Sequence, residues 1–484
     1  MSSALVKKGN APGRHVYDVI VIGGHLGGAL AAALAARRGL QTLYVPHDGL
    51  AERYTHQDQK FHHAPFLLPP LKSVPPFDEA LTELGLQPIV GKALRSVPIH
   101  LLEEDRWFEL SHDEKHRGPE LARALGDQAE SFDERVRKAQ ASGDASDSFF
   151  QARLEFPPEG FFGRWKFKRQ LSRFPELPTE TPLEDSALLR KLERFVAFVD
   201  RPAALTSART LGRALQGPYL HEGGREGLWL QLVDRARELG ADVLASDEQV
   251  ERITFDGGIP GLRLARGDTT YRAGLVLCAS DLDVLTRLMP EKLRKAATKS
   301  APVALQKALV TFHFTVPERG LPPGLGRLSL LHAPSLEGGC ALLEVSPGSS
   351  AELRVLSVTL EAAVGLRTSG EPAVKALVAQ VHGALERVMP FTKQHVTSES
   401  STWLDAQHVI AGHGEPHPLF QLPDDAWLGV AGTKTQSPWK RVLLAGRQVL
   451  PGLGFEGEVL AAQRAVRLAE QVLKKNDPLK RRGA

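Results

Sequence analysis

The residues best placed to do chemistry in this chain are glycines, and the chemistry is the cradling of phosphate. Gly23-Gly24-His25-Leu26-Gly27-Gly28 follows a β-branched run and precedes an alanine-rich one. At such a strand-to-helix turn, backbone N–H groups at the helix N-terminus, aided by the helix dipole, hold the pyrophosphate of a dinucleotide. The first glycine of the pattern makes the turn, the second lets backbone approach the phosphates, and the third packs helix on strand. Gly23 and Gly28 fill the first and third places, and His25 stands at the second. An imidazole there crowds a pyrophosphate unless the loop shifts or the ring joins in binding. The next strand should end in Asp or Glu to take the adenosine ribose. Pro46 holds that place, followed by His47 and Asp48, and Asp48 serves only if the strand end is displaced. Two readings stand: a nucleotide site, or a fold that persists while its cofactor contacts have weakened.

The elements that must position this turn are readable. Val16 to Ile22 suits a buried parallel strand, Ala29 to Arg38 a helix packed closely on a sheet, and Gln41 to Val45 a second strand. The α/β pattern returns at Gly223. Gly227 to Leu239 fits an amphipathic helix with Leu228, Leu232 and Ala236 on one face, and short strands follow at Asp242 to Leu244 and Val250 to Phe255. Asp256-Gly257-Gly258 reads as a hairpin turn, and Leu275 to Ala279 as another buried strand. Ala308 to Phe314 and Leu353 to Leu360 are β-like, Pro372 to Val388 is helical, and a final strand, Val442 to Ala445, leads through a glycine turn to a helix, Glu458 to Lys474. Glu103 to Ser148 is expected to be a surface helical insertion whose end, Ala139 to Ser148, is mobile.

A chain of 484 residues implies two domains. The expected division is a discontinuous nucleotide domain, 16–64, 218–300 and 437–475, interleaved with a substrate domain, 65–217 and 301–436, with tails at 1–15 and 476–484. Sixty basic against 57 acidic residues give a net charge of +3, which makes no case for a nucleic-acid partner. Two cysteines, Cys278 and Cys340, offer no disulfide framework or zinc finger, and a reducing cytoplasm is the default compartment. Val19 to Ala36 is apolar, but its glycines argue for strand, turn and helix rather than a membrane span. His56, His62, His63, His408, His413 and His417 lack a metal-ligand spacing, and no metal is expected.

With middle and end in view, the chain resembles FAD-dependent oxidoreductases of the phytoene desaturase and amine oxidase superfamily, over Tyr17 to Val45, Gly223 to Asp281 and Val442 to Leu473. Gly223-Gly224-Arg225-Glu226-Gly227 looks like the family's Gly-Gly motif before a helix near the flavin. Val250-Glu251-Arg252-Ile253 is similar to the strand whose valine backbone touches the adenine, and Cys278-Ala279-Ser280-Asp281 to the stretch that closes this half of the domain. Gly446-Arg447-Gln448-Val449-Leu450-Pro451-Gly452-Leu453-Gly454-Phe455-Glu456-Gly457 resembles the desaturase motif, with Gly446, Pro451, Gly452, Gly454 and Gly457 in register.

The resemblance implies an α/β fold: a Rossmann-like FAD/NAD(P)-binding domain with an interleaved mixed α+β substrate domain. It implies FAD held by Gly23, Gly24, His25, Gly27, Gly28, Gly223, Gly224, Val250, Gly446, Arg447, Gly452, Gly454 and Phe455, and hydride transfer at flavin N5 with an apolar, polyene or isoprenoid substrate. Three departures accompany it: Arg447 and Gln448 replace small residues beside ribitol and phosphates, and Glu456 replaces proline. Arg447 either pairs with a phosphate or fills a vacated pocket. The alternatives are a cofactor-free carrier or scaffold, as the Rab GDP-dissociation inhibitors are within a related fold, and a non-redox FAD-dependent isomerase.

One segment stands apart. Between residues 149 and 174, Phe149, Phe150, Phe156, Phe161, Phe162, Trp165, Phe167 and Phe174 interleave with Arg153, Arg164, Lys166, Lys168, Arg169 and Arg173. That mixture suits peripheral membrane contact, with rings at headgroup level and cations on anionic lipid. The alternative places the rings in a core or substrate cavity and the cations in water.

Overall fold

The strand before the glycine turn owes its composition to neighbours on both sides. In the computed structural model, Val16–Ile22 pairs in parallel with Thr270–Cys278 on one side and Thr42–Val45 on the other. Parallel strands at a sheet centre are covered on both faces and read as near-continuous apolar runs. The structure describes residues 15–47, 53–56, 59–103, 106–152, 154–180, 187–245, 248–266, 269–298, 303–401, 403, 417–424 and 426–473. Asp48, Arg153, His408, His413 and, apart from His15, the two tails lie outside the described residues.

Among the described residues, seven strands form the first sheet. Their order is Val250–Asp256, Ile259–Leu264, Thr270–Cys278, Val16–Ile22, Thr42–Val45 and Asp242–Val243, with Val442–Leu444 also parallel to Thr270–Cys278. The Val250–Asp256 hairpin turns at Gly257 and Gly258, whose φ values of 57° and 80° are those a tight two-residue turn requires. Three stretches remote in sequence thus build one sheet.

Helix Leu26–Arg37 crosses its face, and every residue from Leu26 to Ala36 is buried. Alanine makes that burial feasible, because small side chains let Gly224–Glu238 and Gly454–Val472 pack along both flanks. Leu228, Leu232 and Ala236 point into this core, as their spacing predicts. The C-terminal helix begins at Gly454, four residues before the expected Glu458.

The second sheet has eight strands among the described residues and is largely antiparallel. Its long strand Ala304–Pro317 pairs with Leu353–Ala363 on one side and with Ser398–Ser401 and His417–Gln421, which share the edge, on the other. Cys340–Pro347, Leu328–His332, Ile99–Leu102 and Trp107–Leu110 complete it, and helix Glu371–Val388 covers one face.

The expected surface insertion at Glu103 to Ser148 requires correction. It begins with the strand Trp107–Leu110, and Ala139 to Ala145 is the end of an ordered helix, Ala129–Ala145. That helix crosses Ala204–Leu215 where two glycines meet. A Cβ on Gly212 would stand 2.5 Å from the Ala139 carbonyl oxygen, and one on Gly143 would stand 3.0 Å from the Ala208 carbonyl oxygen. Read alone, Ala139-Gln-Ala-Ser-Gly is soft; docked on a second glycine it is a close helix crossing.

Candidate functional site

The two glycine turns meet, as a single elongated site requires. Gly23 leaves strand Val16–Ile22 at φ +126°, and a Cβ there would lie 2.6 Å from the Ser280 nitrogen. From the other side, a Cβ on Gly446 would lie 2.7 Å from the Ala279 carbonyl oxygen. Gly27 faces Ala445 across the same seam, its own Cβ position 2.9 Å from that carbonyl oxygen. Residues Gly23 to Gly28 and Gly452 to Phe455 are all buried.

His25 is the N-cap of helix Leu26–Arg37, and its carbonyl accepts the N–H groups of Gly28 at 2.9 Å and Ala29 at 3.2 Å. The Gly24 N–H donates to the His47 carbonyl at 3.0 Å. His47 continues the substitution with its ring. The Val250 N–H, which the resemblance assigns to adenine, donates to His47 Nδ1 at 3.1 Å in a buried contact. Pro46 thus ends the strand without a carboxylate and turns His47 into the space beside Val250.

Arg447 is 1% exposed. Its Nε and Nη2 donate to the two carboxylate oxygens of Asp281 at 3.1 and 2.8 Å, and its guanidinium carbon lies 5.8 Å from the centre of the Phe198 ring. Burial alone would push the Asp281 carboxyl upward; the Arg447 charge and hydrogen bonds, with a further pull from His25, hold it below the usual carboxylate range. A bidentate guanidinium is as good a partner for phosphate as for carboxylate, and here the carboxylate has those donors.

The other departures are also engaged with protein. Gln448 Oε1 accepts the Leu282 N–H at 2.9 Å, at the start of helix Leu282–Leu288. Glu456 holds Arg209 through two hydrogen bonds of 3.0 and 2.5 Å, both side chains buried. Phe455 packs edge to face on Phe66 and Phe77. Around Gly223 and Gly224 the neighbours are histidines: Gly223 N–H donates to His221 Nδ1 at 3.1 Å, and a Cβ on Gly224 would strike the His62 ring.

Sequence reasoning missed the segment that closes the C-terminal turn. Phe198 N–H donates to the Pro451 carbonyl at 2.9 Å, and the Val196 carbonyl oxygen fills the space a Cβ on Gly454 would need. His417 supports that segment, its Nε2 donating to the Ala197 carbonyl at 3.0 Å; burial lowers its pKa to about 3, so it is neutral. A cavity of about 20 Å³ remains nearby, between Val196, Arg209, Thr210, Leu453 and Phe455, room for about one water. The one signal for the segment was Phe195 to Val199, an apolar stretch with no helical or alternating period.

These residues do not fit FAD as they are arranged. The backbone and side-chain donors that the resemblance gave to adenine and phosphates, at Val250, Gly24 and Arg447, are bonded to His47 and Asp281. Phe198 and the Val196 backbone lie against the turn assigned to the flavin end. Among the described residues no group of His, Cys, Asp or Glu could hold a metal ion.

No protein-family model matches the chain, and no curated protein matches it. Solved structures do. Putrescine oxidase aligns over 95% of this chain and 99% of its own at 13% identity, with a TM-score of 0.58. Cyclohexylamine oxidase from Brevibacterium oxydans IH-35A aligns over 95% of this chain and 100% of its own, at 14% identity and a TM-score of 0.56. The chain has the fold of these amine oxidases. An oxidoreductase from Methanosarcina mazei gives the same picture, with 93% of this chain and 100% of its own covered, 14% identity and a TM-score of 0.55. The fold is therefore the α/β one expected, shared with these oxidases: a Rossmann-like sheet and a second, mixed sheet.

Proposed function

We propose that this chain uses the amine oxidase fold without its cofactor, as a carrier or scaffold for an apolar partner molecule. One observation carries the reading: Arg447, in the turn that should hold the cofactor, is buried in a bidentate pair with Asp281 beneath Phe198. The three departures in that turn each bond to a residue elsewhere in the chain, so the protein has built partners for them. Purified protein is then colourless, releases no flavin on heat denaturation, and does not quench the fluorescence of added FAD. A yellow protein with about one flavin per chain overturns the proposal.

The second reading is an FAD-dependent oxidoreductase that moves hydride between an apolar, polyene-like molecule and flavin N5. Its support is the end-to-end likeness to putrescine and cyclohexylamine oxidases and the meeting of the two glycine turns. FAD would supply the redox chemistry, and Arg447, His47 and Phe198 would each have to leave their present partners. The same absorbance measurement separates the two readings.

A further inference from the structure

The aromatic and basic segment divides between core and solvent. Phe149, Phe156 and Phe167 are buried, and Phe167 packs on Phe149, Phe156 and Trp427 with ring centres 6.1, 5.4 and 5.5 Å away. Phe167 belongs to helix Gly160–Leu171 and fastens it to the body by one side. At about 100° per residue, Phe161, Trp165 and Phe162 fall in one arc of about 100°, on the side away from Phe167. They are 79%, 59% and 81% exposed.

Rings this exposed are uncommon on a soluble surface, where clustered apolar groups mark a contact. Their surroundings say what kind. From Gly160 to Phe174 there is no acidic residue, and Arg164, Lys166, Lys168, Arg169 and Arg173 are exposed along the same stretch. Arg169 lies 5.9 Å from the centre of the Trp165 ring, so cation and ring form one surface. Rings seated at headgroup level and cations over anionic lipid match this pattern. A helix of 12 residues spans about 18 Å, too short to cross a bilayer but suited to lying in its plane. No helix among the described residues is long and apolar enough to cross a membrane.

We propose that helix Gly160–Leu171 is a membrane-docking element that seats Phe161, Phe162 and Trp165 in the headgroup region of an anionic bilayer. The site does not depend on whether FAD binds.

Sedimentation with vesicles tests it, using phosphatidylcholine alone and phosphatidylcholine mixed with phosphatidylglycerol. The full chain is expected to bind the anionic vesicles, with the bound fraction falling as salt rises. Combined Phe161→Ser, Phe162→Ser and Trp165→Ser should weaken binding by at least about tenfold with an unchanged melting temperature, because none of the three contributes to the core. Lys166→Glu with Lys168→Glu and Arg169→Glu should abolish the preference for anionic lipid. Failure of the full chain to sediment at low salt overturns the proposal. So does an aromatic variant that binds as well as the parent, or one altered only in oligomeric state on size exclusion, which would mark the helix as a self-association surface.

Discussion

Arg447 and Asp281 lie 166 positions apart in sequence and are joined by two hydrogen bonds, of 3.1 and 2.8 Å, in a place closed to solvent. Breaking one side of such a pair leaves a buried charge without compensation, at a cost of about 3–5 kcal/mol. Arg447→Met alone and Asp281→Leu alone should each lower stability by about that much, and the double variant by much less. Urea unfolding of the three proteins decides it; a double variant as unstable as the sum of the singles would mean the pair does not act as a unit. The pair's contribution is present from the ordinary aspartate range upward and fades as acid carries the pH through the lowered Asp281 value.

If Arg447, His47 and Phe198 occupy the cofactor's place, relieving one position is insufficient. His25→Gly removes the ring that crowds the first turn but leaves the His47 contact to Val250 intact. FAD titration by fluorescence quenching should show no saturable binding to this variant. Tight binding after that single change would make His25 the sole obstacle and restore the flavoenzyme reading.

Two buried histidines set an acid limit on stability. Burial holds His313 and His417 at a pKa of about 3, against the opposing hydrogen bonds to the His62 and Ala197 carbonyls. The unfolded chain protonates both near 6.5, so it binds more protons between about 3 and 6.5. Stability therefore rises with pH across that window, by about 1.4 kcal/mol per pH unit for each histidine. Glu193 acts in the opposite sense: burial raises it to about 7, outweighing its Ser207 hydrogen bond and Arg190 and Arg194. It stabilises fully below the ordinary glutamate range and loses that contribution as pH climbs through about 7. Melting temperatures from pH 4 to 7 should rise less steeply in His313→Gln or His417→Gln and more steeply in Glu193→Gln. Unaltered slopes would show that these groups titrate alike in both states.

At the glycine crossing of helices Ala129–Ala145 and Ala204–Leu215, Gly212→Ala places a methyl against the Ala139 carbonyl. The helices must separate, at about 1–3 kcal/mol. Gly383→Ala is the control, since its Cβ meets nothing within 4 Å and it lies exposed inside helix Glu371–Val388; better helix propensity should stabilise that variant by about 0.5–1 kcal/mol. Thermal melts of both variants would refute the close-crossing account if Gly212→Ala were the more stable.

Much of the architecture was legible locally. Val16–Ile22, the turn at Gly23, the buried alanine helix and the Gly257-Gly258 hairpin rest on side-chain period and on φ values only glycine adopts readily, both properties of neighbouring residues. Ala139–Ala145 was misread because the surface that orders it belongs to Ala204–Leu215, some seventy positions later. The aromatics of residues 149–174 divide into core and solvent only in the fold, where remote Trp427 lies beside Phe167 while Phe161 has the equally exposed Phe162 as its ring neighbour.

By itself, the order of residues determined that two glycine turns would flank one sheet, and that His25, Pro46, Arg447, Gln448 and Glu456 depart from a cofactor-holding pattern. Only the tertiary structure decided what the departures do. A guanidinium donates to phosphate or carboxylate equally well, and no local pattern says which will come within hydrogen-bond reach. Folding brought Asp281 to Arg447, Arg209 to Glu456 and Val250 to His47, and each of those partners comes from a remote part of the chain.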